Sequence, residues 1–159
     1  MGEENDVSLW KPPERLDTVI VTTAIALETV STLRRYGRVE NIVYWSGTSN
    51  KVTGTVHRVI EPNAERGRRY VHVDPMEVSR VVNDVFEHGE FLIAQLHTHP
   101  NDEDHSDVDD CGTISKREGF ISLILPFYAR FTISAIPNWY GYELHRGAWA
   151  PFDVRRIRL

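Results

Sequence analysis

The stretch HTHPNDEDHSDVDD, residues 97–110, gathers three histidines and six acidic residues in fourteen positions. His97 and His99 are one residue apart, so on an extended backbone both project to one face, together with Gln95. Neutral imidazole is the commonest metal ligand, and two at this spacing can share one ion. A catalytic zinc takes three protein ligands and keeps a fourth position open. The third ligand is therefore expected from a nearby carboxylate or histidine. Asp109, ten residues after His99, stands near the start of a predicted helix, whose first turn can aim a side chain back across the loop.

Taken alone, H-x-H at a strand end does not specify a metal site. Runs of acid are usually solvated loops, and Asp102, Glu103 and Asp104 read that way. No glycine stands where a calcium loop needs its sharp turn, which excludes an EF-hand. There is no H-E-x-x-H, so the chain is not a zincin. Cys111 is the single cysteine, which excludes a two-cysteine deaminase site and any intrachain disulfide.

The elements that would position these residues follow from local patterns. Residues 22–37 read as a helix, capped by Thr22 or Thr23, with arginines in its last turn and Gly37 as its stop. Residues 39–47 and 54–62 read as strands, the first ending at Gly47, and residues 68–74 as a third, short one. Asp74 caps a second helix over 75–89 with Pro75 at its first position. Residues 90–97, EFLIAQLH, are nearly all apolar and suit a central strand buried on both faces. A helix is expected over 107–118, and strands over 120–128, 130–137 and 140–147. Helices between strands, then a run of strands, imply a mixed α/β or α+β domain: a central sheet with helices packed on it.

At 159 residues the chain suits one domain, here 16–159 after a loose N-terminal segment, 1–15. A hydrophobic fraction of 41% and a charged fraction of 26% are ordinary for a globular protein. The net charge of −5 argues against nucleic acid as a partner. The basic clusters at 65–69 and 154–159 read as solvated surface. The N-terminus lacks an apolar secretory region, and Asp6 stands where a myristoylation signal needs Ser or Thr. No apolar run reaches membrane-spanning length. A reducing cytoplasm is the expected home.

Two further residues make the pattern specific. Ser106 precedes Asp109 by three positions, giving S-x-x-D after H-x-H-P, and Glu40 stands upstream at the start of the strand ENIVYWSG. Glu, then H-x-H-P, then S-x-x-D resembles the JAMM signature of the JAB/MPN metalloprotease family. The order of helices and strands resembles that fold too, so the likeness spans most of the chain. It implies a JAB/MPN-like core related to that of cytidine deaminases. It implies that His97, His99 and Asp109 bind one zinc ion. Glu40 would serve as general base and then acid on a zinc-activated water, and Ser106 would stabilise the tetrahedral oxyanion. Glu28 is a rival base, but it lies inside a predicted helix and is expected to face solvent. His105 adjoins Ser106 and is read as shaping the loop. His57, His72, His88 and His145 are read as structural, Cys111 as a packing residue, and Tyr44 and Trp45 as core beside the site.

Members of that family hydrolyse isopeptide or peptide bonds after the C-terminal glycine of ubiquitin or ubiquitin-like proteins. The short, stand-alone form resembles the prokaryotic branch, found with E1-like and E2-like proteins in conjugation or antiphage-defence operons. The resemblance thus implies a deubiquitinase-like zinc isopeptidase for deconjugation or precursor processing, with a ubiquitin-like protein or its conjugate as substrate. Residues 61–73 and 101–105 are expected to contact it. Two other readings stand beside this one. A non-catalytic MPN-type scaffold would normally lack the glutamate or the ligands, which this chain keeps. A zinc hydrolase of a small amide or carrier-protein conjugate would share the same signature.

Overall fold

The computed structural model describes residues 15–101, 113–130, 136 and 138–159. The loose N-terminal segment expected at the start of the chain lies almost wholly outside them. Ten strands are present among the described residues: β1 (Thr18–Ile20), β2 (Ile42–Asn50), β3 (Thr53–Ile60), β4 (Glu65–Arg66), β5 (Val71–His72), β6 (Phe91–Thr98), β7 (Ile121–Leu125), β8 (Tyr140–His145), β9 (Ala148–Pro151) and β10 (Ile157–Arg158). Eight form one mixed sheet in the order β10-β1-β3-β2-β6-β7-β8-β9, while β4 and β5 make a separate hairpin. The result is an α+β domain, a central mixed sheet flanked by helices, as the alternation of patterns implied.

Helix α1 (Thr23–Arg34) starts where Thr22 accepts a hydrogen bond from the Ile25 N–H at 3.2 Å. Its buried residues Ala26, Val30 and Leu33 recur at helical spacing and pack with Val43, Trp45, Leu96 and Leu123 on one face of the sheet. Burying each valine or leucine contributes about 1.5–3 kcal/mol. The Trp45 indole N–H donates to Thr29 Oγ1 at 2.9 Å, so the largest core side chain leaves no polar atom stranded. Helix α2 (Pro75–Glu87) is capped by Asp74, which accepts from the Met76 N–H at 2.8 Å. Its Val81 and Val85 join Ile42, Tyr44, Leu92 and Phe120 in a second cluster. In β2 the residues Ile42 and Tyr44 alternate with Val43 and Trp45, so the two clusters occupy opposite faces of the sheet. Every residue of β6 is buried, as a strand covered on both faces requires.

Several expectations need correction. Strand β2 does not end at Gly47 but runs to Asn50, and the chain turns at Lys51, with φ 54°. Gly47 has a different duty. The pairing of β2 shifts register with β3 between Ser46 and Gly47, and with β6 between Trp45 and Ser46. At this double bulge a Cβ on Gly47 would collide with the Thr55 carbonyl. Gly47→Ala is expected to cost about 2–4 kcal/mol. Urea denaturation checks this, and a loss below about 1 kcal/mol would show that the bulge can relax.

The helix expected over 107–118 is absent where it is described. Residues 113–118 form an irregular turn in which Thr113 Oγ1 donates to the Ser115 carbonyl at 2.6 Å and Ser115 Oγ accepts from the Arg117 N–H at 3.1 Å. These hydroxyls offer the backbone partners that a helix would otherwise supply. Most of the strand expected over 130–137 lies outside the described residues. In the basic stretches Arg68, Arg69, Arg155 and Arg158 are exposed as expected, while Arg66 and Arg156 are not. Arg66 is half-buried among hydrogen bonds, and Ile157–Arg158 forms an edge strand paired in parallel with β1. No helix among the described residues is long and apolar enough to cross a membrane.

Candidate metal centre

Strand β6 delivers both histidines to the end of the sheet at 0% exposure. The alternation expected from sequence holds: His97 and His99 face each other, with Nε2 atoms 3.1 Å apart and ring centroids 4.9 Å apart. Two imidazoles on one tetrahedral zinc, each at about 2.0–2.1 Å, have their nitrogens roughly 3.3 Å apart. Burial, and then the neighbouring His99, push the His97 pKa down to about 3. That ring is neutral at physiological pH, the state in which a nitrogen lone pair can take a metal. Its Nδ1 is buried without a hydrogen-bond partner among the described residues, so packing and the contact with His99 set the ring's orientation. The donor chemistry and the nitrogen spacing fit half of a zinc site. Among the described residues no three His, Cys, Asp or Glu side chains are placed to hold one metal ion, so a complete ligand set needs a group from elsewhere. Asp109 and Ser106, the third expected ligand and the expected oxyanion donor, lie outside the described residues, as do His105 and Cys111.

Glu40 reaches this end of the sheet through register. In the antiparallel pair of β2 and β6, Ile42 lies opposite His97 and Val43 opposite Leu96. The next step sets Asn41 against Thr98. The step is made by hydrogen bonds: Asn41 N–H to Thr98 Oγ1 at 2.9 Å, and Thr98 N–H to the Asn41 carbonyl at 3.1 Å. Glu40 is the residue before this step, at the end of the sheet where the histidines lie. It is 2% exposed, and its N–H donates to the Gly67 carbonyl at 2.9 Å. It precedes β2 by two residues rather than beginning the strand, which releases its backbone to the β4–β5 hairpin.

The sequence reading missed Asn41, which holds this corner together. Its Oδ1 accepts from the Ile42 N–H at 2.9 Å and from Arg66 Nε at 2.8 Å, and its Nδ2 donates to the Thr32 carbonyl at 3.0 Å. One buried amide thus ties β2, the hairpin and the last turn of α1 together beside Glu40. No local pattern marks it, because the partners that make it a junction, Thr32 and Arg66, come from two other segments. Asn41→Ala leaves buried donors and acceptors unmatched, each worth about 1–3 kcal/mol. The variant is expected to lose about 2–4 kcal/mol in urea denaturation; a loss under about 1 kcal/mol would remove Asn41 from this role.

The other candidates fall where their chemistry places them. Glu28 is exposed on α1, away from the buried cluster, which removes the rival base. His57 bonds Thr48 at 2.8 Å, His88 contacts the Asp84 carbonyl at the C-terminal end of α2, and His145 pairs with Glu118 at 2.6 Å. Tyr44 and Trp45 are buried in the two core clusters, as expected.

No known family profile matches the chain. The solution structure of a protein from Desulfitobacterium hafniense matches its fold with a TM-score of 0.65, covering 89% of this chain and 92% of that one at 16% sequence identity. The chain is also similar to a probable metalloprotease of Sinorhizobium fredii, 28% identical over 139 residues that cover 74% of this chain and 85% of the relative.

Proposed function

We propose that this protein is a zinc-dependent peptidase of the JAB/MPN type. The observation that carries the reading is the buried His97–His99 pair, with Nε2 atoms 3.1 Å apart, at the end of the sheet where buried Glu40 leads into β2. The sequence order Glu, H-x-H-P, S-x-x-D supports it, and so does the likeness to a probable metalloprotease.

His97, His99 and Asp109 would hold the metal. Zinc held there would supply Lewis acidity, activating water at neutral pH and polarising a carbonyl. Glu40 accepts a proton from the attacking water and returns it to the leaving amine. General acid–base help of this kind is worth roughly 10²–10⁴ in rate. Its burial keeps bulk water from competing for that proton. Ser106 donates a hydrogen bond to the oxygen on which negative charge develops, a contribution of about 3–4 kcal/mol when well placed. The substrate is the glycine-ended tail of a ubiquitin-like protein, cleaved in a conjugate or a precursor.

The test is mass spectrometry of a ubiquitin-like protein fused after Gly-Gly to a reporter, incubated with the protein with and without a zinc chelator. Chelator-sensitive cleavage after the last glycine is expected. Intact fusion in the presence of protein shown to carry zinc would overturn the substrate assignment.

A further inference from the structure

Arg38, Arg68 and Arg130 come from three separate segments and surround one cleft of about 350 Å³. All three are exposed, and none pairs with a carboxylate among the described residues. Arg35, Arg58, Arg66 and Arg80, by contrast, each meet a carboxylate within 4.0 Å. An acidic chain has thus brought to one concavity three guanidinium groups that have no carboxylate partner among the described residues, and their fields add there.

The cleft lining is tied to residues of the candidate metal centre through the chain and through hydrogen bonds. Arg38 lies two residues before Glu40. Arg68 follows Gly67, whose carbonyl holds the Glu40 N–H at 2.9 Å. Pro100 and Asn101 continue from His99 along the cleft wall. The Tyr128 N–H donates to the His99 carbonyl at 2.8 Å, and its O–H to the Arg68 carbonyl at 2.9 Å. Phe127, Tyr128 and Ala129 adopt φ values of 54°, 54° and 56°, three consecutive non-glycine residues in the left-handed region. L-residues resist that conformation, and such strain gathers at ligand clamps.

We propose that this cleft is a substrate subsite that binds a carboxylate next to the scissile bond. The proposal rests on the peptidase reading and adds to it a preference for acidic substrates. Planar guanidinium groups pair with carboxylate through two parallel N–H bonds, which gives both charge and orientation. The carboxylate has two sources, an acidic side chain or a free C-terminus.

The test uses the zinc-loaded full chain carrying Glu40→Gln and the fluorescence anisotropy of three labelled peptides sharing a central Gly-Gly. One carries glutamates after the glycines and an amidated end, one glutamines and an amidated end, and one glutamines and a free carboxylate. At least one acidic peptide is expected to bind about tenfold or more tighter than the neutral amide, and the arm that gains names the source. The gain should shrink with added salt. It should vanish when Arg38→Gln, Arg68→Gln and Arg130→Gln are combined, with zinc content and melting temperature retained. Equal affinity for all three peptides, no binding to any, or a gain that survives the triple substitution would overturn the proposal. The peptidase reading fails separately. If the unsubstituted protein cleaves none of the peptides while the arginine-dependent preference is present, the cleft stands and the peptidase reading falls. Cleavage of all three with equal kcat/KM would do the reverse.

Discussion

Glu40→Gln is expected to keep its zinc and lose its turnover, with kcat falling by roughly 10²–10⁴. The substitution preserves shape in a position that is 2% exposed, so packing and backbone placement should survive. The Glu40 N–H still donates to the Gly67 carbonyl, and Asn41 still anchors the strand entry. What changes is the one capacity the mechanism needs: an amide oxygen does not accept and hold a proton at neutral pH. Zinc content by elemental analysis and melting temperature should match the parent, while cleavage of the Gly-Gly fusion falls. Full activity would remove Glu40 as the base. Loss of zinc together with activity would make it a ligand or a structural residue instead.

His97→Gln and His99→Gln are expected to abolish stoichiometric zinc binding, and Asp109→Ala is expected to lose both metal and turnover. The Nε2 atoms of His97 and His99 stand 3.1 Å apart at the end of a strand buried along its whole length, so neither can be replaced from solvent. A metal that binds only the folded state stabilises it by about 2.7 kcal/mol at a free concentration one hundred times Kd. That is roughly 5–10 °C in Tm for a domain of this size. The parent should show this zinc-dependent rise and each variant should not. A variant that kept one zinc per chain and the same thermal shift would sink the ligand assignment.

The local part of the fold was readable. Thr22, Asp74 and Pro75 act within a few residues of the helix starts they determine, and both helices begin where these residues predict. The fully buried β6 was visible as an apolar run, and the sharing of a face by His97 and His99 as a consequence of strand periodicity. The short strands β1, β9 and β10 were not, because two to four residues carry no period, and sheet partners alone make them strands. Gly47 misled for a related reason. Glycine ends a strand or permits close approach within one, and only the neighbouring Thr55 carbonyl decides between them.

From the sequence alone came the types of the reactive groups, their order and the one local geometry that two-residue alternation imposes. The tertiary structure decided which of them meet. Glu40 and His99 are far apart in the chain, and the antiparallel register of β2 and β6 brings both to one end of the sheet. Asn41 became a junction because three segments converge on its amide. Arg38, Arg68 and Arg130, unremarkable as separate basic residues, became one cationic cleft. Hydrogen-bonded register and packing bring distant residues within the few ångströms over which coordination, proton transfer and ion pairing act, and no spacing along the chain encodes that distance.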